Sequence, residues 1–154
     1  NSCSLSISSP DPVTYTIPTD KGDKYINFKL DVPDPRCKAL GGTVYFWGAD
    51  TRDGKLVMKK GQDKYTLMTT YGGAVQQQLG GGYGYYHVSQ KTPPQTISGV
   101  VSKNVGYKPG QYTVELTGFF SLNDNKQANP TPSSLTSKAA GKNIVSSTGT
   151  ITIS

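Results

Sequence analysis

The chain has 154 residues, of which 34% are hydrophobic and 17% charged, with a formal net charge of +6. That length suits one domain with a sizeable core, and no apolar run approaches the roughly 20 residues a membrane-spanning helix needs. The basic balance points to acidic partners, whether nucleic acid, sulfated or sialylated glycans or acidic protein patches, without choosing among them.

In chain order, residues 2–8 alternate, with Cys3, Leu5 and Ile7 on one face, until Pro10 and Pro12 break the run. Residues 13–17 form a short extended piece ended by Pro18. The clearest strand is 24–32: Ile26, Phe28, Leu30 and Val32 point one way, and Asn27, Lys29 and Asp31 the other. Pro33 and Pro35 stop it just before Cys37. A Gly41-Gly42 turn leads into 43–48, and Asp53-Gly54 marks a tight turn before 55–59. Residues 65–70 are extended, and 72–86, rich in Gly and Tyr, read as a long loop with an edge strand. Pro93-Pro94 introduces 95–102, and Pro109-Gly110 turns into the long strand 111–121 with Tyr112, Val114, Leu116 and Phe120 on one face. No helical periodicity and no internal repeat interrupts this series. The fold class predicted is all-β, a sandwich of the immunoglobulin (Ig) type.

The tail differs. Residues 123–128 are polar, and 129–142, rich in Ser, Thr, Pro, Ala and Lys, look flexible. Residues 143–154 then alternate, with Val145, Gly149, Ile151 and Ile153 on one face and Ser146, Thr148, Thr150 and Thr152 on the other. This is either a late sandwich strand reached through a long loop or a strand built to complete another subunit's fold.

Cys3 and Cys37 have no metal-ligand spacing; they form one disulfide or remain two buried thiols, and the secreted character of the rest favours the disulfide. His87 is the only histidine and reads as packing or surface, and neither GxSxG nor HExxH occurs. The Gly80–Gly84 glycines lack the GK[ST] ending of a phosphate loop and make a weak candidate for aromatic contact through Tyr83, Tyr85 and Tyr86. No catalytic residue, metal site or cofactor is expected, and the chain does not read as an enzyme. Arg52, Lys55, Lys59, Lys60 and Lys64 crowd one stretch against Asp53 and Asp63. They are either a solvated edge that deters aggregation or an electropositive patch for an acidic receptor; Lys21, Lys24, Lys29 and Lys38 are further candidates. No nucleic-acid partner is expected on this pattern, because no aromatic–basic recognition motif accompanies the charge.

Four early segments carry a resemblance: Asn1-Ser2-Cys3, Asp34-Pro35-Arg36-Cys37, Trp47-Gly48 and Lys55-Leu56-Val57-Met58-Lys59. With the last core strand, Pro109-Gly110-Gln111-Tyr112-Thr113-Val114-Glu115-Leu116-Thr117-Gly118, the chain over roughly 1–121 resembles the major pilin-adhesin subunits of aggregative adherence fimbriae and the related Dr-type adhesins. The resemblance implies an incomplete Ig-like domain over 1–122 that takes its missing strand from a neighbouring subunit. That strand is an N-terminal extension preceding the first cysteine. Here a segment of that type, 129–154, follows the domain instead, and placing Ser154 before Asn1 restores a family-like order. We therefore read the chain as self-complemented, with 123–128 as an engineered linker and a mature N-terminus without a signal peptide. The implied partners are neighbouring pilin subunits, a periplasmic chaperone and an outer-membrane usher, with secretion through the periplasm to the cell surface. The implied activity is adhesion to host matrix such as fibronectin, or to acidic glycans, through basic surface. The alternative is a tip-located, lectin-like adhesin domain that binds host glycans.

Overall fold

The computed structural model describes residues 3–48, 56–72, 77–78, 84–123, 137 and 139–154. In chain order these give β1 (Ser6–Ile7), β2 (Val13–Tyr15), β3 (Lys24–Asp31), α1 (Pro35–Leu40), β4 (Gly42–Gly48), β5 (Val57–Lys60) and β6 (Asp63–Thr66). They continue with β7 (Met68–Gly72), β8 (Gln77–Gln78), β9 (Gly84–Val88), β10 (Gln95–Val101), β11 (Gly110–Leu122) and β12 (Val145–Ile153).

The strands form an Ig-like sandwich of two sheets. One sheet has the order β1-β3-β10-β7; the other has β2-β12-β11-β4-β9-β8, with the β5–β6 hairpin attached to β11. The alternation in β3 buries Ile26, Phe28 and Leu30 against Tyr112, Val114 and Leu116 of β11, so each sheet gives one face to a common core. Strand β11 is long enough to serve several partners. Its Gly110–Gly118 segment pairs antiparallel with β12, while its other edge pairs first with β5 at Thr113 and Val114 and then with β4 from Leu116 to Leu122.

The second sheet is also covered on its outer side. Tyr45 and Phe119 stack there with ring centroids 5.2 Å apart, Tyr85 tilts against Tyr45 at 6.4 Å, and Ala139 packs with them. This explains why β4 is buried on both faces, and it anchors part of the stretch 129–142 that composition paints as flexible. Cys3 and Cys37 are disulfide-bonded, with Cα atoms 5.7 Å apart, tying the lead into β1 to α1.

Four expectations need correction. The Pro33–Cys37 region is not simply a strand stop: Asp34 caps α1 by accepting from the Arg36 N–H at 2.9 Å, and Pro35 occupies the first turn, where no intrahelical N–H is required. Residues 65–70 are not one strand: the chain passes from β6 to β7, and so from one sheet to the other, at buried Leu67, whose N–H donates to Leu56 O at 2.7 Å. The strand expected over 55–59 is β5, which starts at Val57 and ends one residue later at Lys60; residue 55 lies outside the described residues. The loop 72–86 ends as β9, paired with β4; Tyr85 and Tyr86 are buried by that pairing and are unavailable for aromatic contact with a ligand. Residues 79–83 of that loop, Tyr83 among them, lie outside the described residues.

Candidate functional site

Strand β12 lies in a slot between β11 and β2. Against β11 it runs antiparallel, pairing Val145 with Gly118, Gly149 with Val114, Ile151 with Tyr112 and Ile153 with Gly110. Against β2 it runs parallel, from Ile151 beside Val13 to Ile153 beside Tyr15. Ser154 extends the parallel ladder, donating its N–H to Tyr15 O at 2.9 Å and accepting from the Ile17 N–H at 2.8 Å. Both edges of β12 are thus satisfied over its C-terminal half, which an edge strand could not achieve.

Its inward face fills the core. Ile151 and Ile153 are buried and belong to the main hydrophobic cluster, and Val145 packs on its margin. Gly149 is needed for space: a Cβ there would meet Ile26 Cδ1, and Pro10 Cγ at 2.6 Å. Ser147 completes the inward row, a residue that pattern reading passed over because it is polar. It is buried, and its hydroxyl donates to Ser8 O at 3.2 Å. On the outward face, Ser146 and Thr117 hydroxyls meet at 3.0 Å.

Of the basic residues singled out, Arg52 and Lys55 lie outside the described residues. The hairpin places Lys59 of β5 directly opposite Lys64 of β6, both exposed. Lys60 points the other way. Its ammonium lies 3.5 Å from Asp63 Oδ2 and 5.8 Å from the centroid of the Tyr112 ring, so it braces the hairpin against the core. Lys108, just before β11, joins Asp63 at 3.3 Å. Donation by Lys108, helped by Lys60, holds the Asp63 carboxyl below the usual carboxylate range.

Elsewhere, Lys38 bridges Asp31 at 3.0 Å. Lys24 bridges Asp20 at 3.5 Å and donates to Thr14 O at 2.8 Å. Lys21 and Lys29 are exposed. His87 is exposed on β9, its Nδ1 3.1 Å from Thr43 Oγ1. Among the described residues no group of three or more His, Cys, Asp or Glu side chains is arranged to hold a metal.

The arrangement defines a class of protein: an Ig-like sandwich whose sheet is completed by a strand that arrives after the core domain, from beyond residue 123. No protein-family model and no curated protein sequence matches the chain. Solved structures do. AggA, the major subunit of aggregative adherence fimbriae type I from Escherichia coli, superposes with a TM-score of 0.75 at 21% identity, covering 100% of this chain and 97% of that one. A structure of the aggregative adherence fimbriae of enteroaggregative Escherichia coli, studied for host recognition and biofilm formation, matches at a TM-score of 0.60 and 20% identity over 100% of both chains. CssB of the enterotoxigenic Escherichia coli colonization factor CS6, complemented with a donor strand from CssA, matches at 0.56 and 20% identity over 98% of this chain and 97% of that one. The chain has the fold of these fimbrial subunits.

Proposed function

We propose that this protein is a structural and adhesive subunit of a bacterial surface fimbria. In this reading, residues 1–122 form the acceptor domain, 123–128 join it to the tail, and 129–154 carry the donor strand that in a polymer comes from a neighbouring subunit. A periplasmic chaperone would hold the open groove until an outer-membrane usher drives strand exchange, and the product would stand on the cell surface. The single observation that carries the proposal is β12 itself. It is hydrogen-bonded between β11 and β2, and it fills the core with Ile151 and Ile153. Strand addition of this kind gives affinity through the backbone ladder and specificity through alternate side chains.

The adhesive part rests on basic surface. Lys59 and Lys64, with Arg52 and Lys55, are the proposed contact set for a host matrix protein such as fibronectin, Lys60 being turned to Asp63 and Tyr112, with repetition along the polymer adding weak contacts. A lectin-like tip domain is not favoured, since the fimbrial chains matched most fully are covered end to end by this one domain. The test is binding of the purified chain to immobilised fibronectin, other matrix proteins and acidic glycans across a salt series. Binding to fibronectin that falls steadily with salt supports the proposal. Salt-insensitive binding, or none to any matrix protein, removes its adhesive half.

A further inference from the structure

We propose that the outer face of the β1-β3-β10-β7 sheet carries a site for a neutral glycan, in an open groove beside Tyr25. The site is separate from the basic set and goes beyond the adhesive reading above.

The groove has a floor and a ridge. Its floor is the outward row of β3, where exposed Tyr25, Asn27 and Lys29 alternate with buried Ile26, Phe28 and Leu30. Its ridge is the segment that leaves β1 after Ile7 and reaches β2 at Val13, passing from one sheet to the other. Ser8 ties the ridge to the floor: its N–H donates to Lys29 O at 2.9 Å, and its Oγ accepts from the Lys29 N–H at 3.2 Å. Strand β12 holds the ridge from the core side. Ser147 donates to Ser8 O at 3.2 Å, and Pro10 Cγ lies 2.6 Å from where a Cβ on Gly149 would stand. Pro10 and Pro12 fix φ along the ridge, so a ligand need not order it on binding. The space enclosed is about 540 Å³, within the roughly 300–1,000 Å³ of small-molecule sites.

The chemistry selects the ligand. Asp11 on the ridge and Lys29 on the floor are both exposed and opposite in charge, and neither forms an ion pair among the described residues. A strongly anionic ligand would meet Asp11, and a cationic one Lys29. Asp11 only accepts hydrogen bonds, and Lys29 only donates them. The Ser98 hydroxyl donates to Asn27 Oδ1 at 2.6 Å, which leaves the amide hydrogens of Asn27 to donate. A polyhydroxyl ring, whose groups both donate and accept, satisfies all three side chains without a net charge. Tyr25, 51% exposed on the same row, supplies an aromatic surface on which the C–H face of a pyranose packs.

The experiment titrates the full chain with four neutral disaccharides (lactose, N-acetyllactosamine, cellobiose and mannobiose), followed by amide chemical shifts, with sialyllactose and phosphocholine as the anionic and zwitterionic probes. At least one neutral disaccharide should bind and shift the amides of β3 and of the ridge. Its affinity should fall about tenfold in Tyr25→Ala and in Asp11→Asn, and stay within about twofold in Tyr25→Phe, which keeps the ring. Lys59→Glu, on the other sheet, should leave it unchanged, because the ligand carries no net charge. Tyr25 and Asp11 lie on the surface, so thermal midpoints of these variants should match the parent. Binding of none of the four overturns the inference, as does parental affinity in both Tyr25→Ala and Asp11→Asn, or tighter binding of sialyllactose or phosphocholine than of every neutral sugar. Fibronectin binding by the same variants is the separate readout: Lys59→Glu should weaken it and Tyr25→Ala should not, so either reading can fail while the other stands.

Discussion

At the residue scale, the inward positions of β12 are unequal in what they tolerate. Burying Ile151 and Ile153 contributes roughly 1.5–3 kcal/mol each relative to exposure, and both are buried. A carboxylate at position 151 would lie in the apolar core opposite Tyr112. Ile151→Asp should therefore unfold or aggregate the chain, while Thr152→Asp, on the outer face, should shift the denaturation midpoint only slightly. Gly149→Ala should cost about 1–3 kcal/mol, the range for overpacking, because Ile26 and Pro10 already occupy the space; urea unfolding measures it. The Cys3–Cys37 disulfide closes 34 residues, so its removal by Cys3→Ser/Cys37→Ser should cost roughly 3–4 kcal/mol in the chain-entropy account.

Acid sensitivity also belongs to single residues. Asp63 is held below its ordinary range chiefly by the Lys108 hydrogen bond, and Asp20 chiefly by the Thr16 backbone N–H at 2.6 Å. A carboxyl whose folded value is depressed adds stability above its unfolded value, about 3.9 for aspartate, and loses it as pH falls through the folded value. The urea midpoint should accordingly hold from neutral pH down to about pH 4 and decline below it. Asp63→Asn should make that decline shallower, and an unchanged decline would assign it to other groups.

At the element scale, what could be read in the sequence depended on how local its cause was. The alternation of 24–32 and 111–121 translates directly into β3 and β11, because a period of two with branched and aromatic residues admits little else. Helix α1 was hidden. It is six residues long, too short for a periodic stripe, and its only signal was an Asp-Pro pair that serves equally as a strand terminator and as a cap with first-turn proline. Asp34→Ala should cost about 1 kcal/mol by removing that cap, measurable by chemical denaturation. Burial of Tyr85 and Tyr86 was also illegible, since it depends on β9 pairing with a strand some forty residues earlier and on Ala139 arriving over the outer face. As for the basic set, strand alternation alone puts Lys60 opposite Lys59; the hairpin register adds that Lys64 shares the face of Lys59 and that Lys60 turns to Asp63 and Tyr112.

At the scale of the whole molecule, the two ends of β12 explain why such a strand would serve a neighbour. Cys3 is tied to α1, which leads into β4 near Leu122, whereas Ser154 lies beside Tyr15 and the Gly110 end of β11. The two points are separated by most of the length of β11, a strand rising about 3.3 Å per residue. In the family-like order only Asn1 and Ser2 separate Ser154 from Cys3. Two residues span too little to return the strand to its own groove, so it would reach into the groove of another copy and build a chain of subunits, each both acceptor and donor.

The central claim is that β12 is a separable strand completing an otherwise unstable sandwich. It is tested most directly by removing residues 143–154 and following thermal unfolding of the truncated chain alone, with a synthetic peptide of sequence 143–154, and with the same peptide carrying Ile151→Asp. The account predicts that the truncated chain aggregates or melts far below the parent, that the parental peptide restores a midpoint close to the original, and that the Asp peptide does not. A truncated chain that stays soluble, monomeric and as heat-resistant as the parent would contradict it.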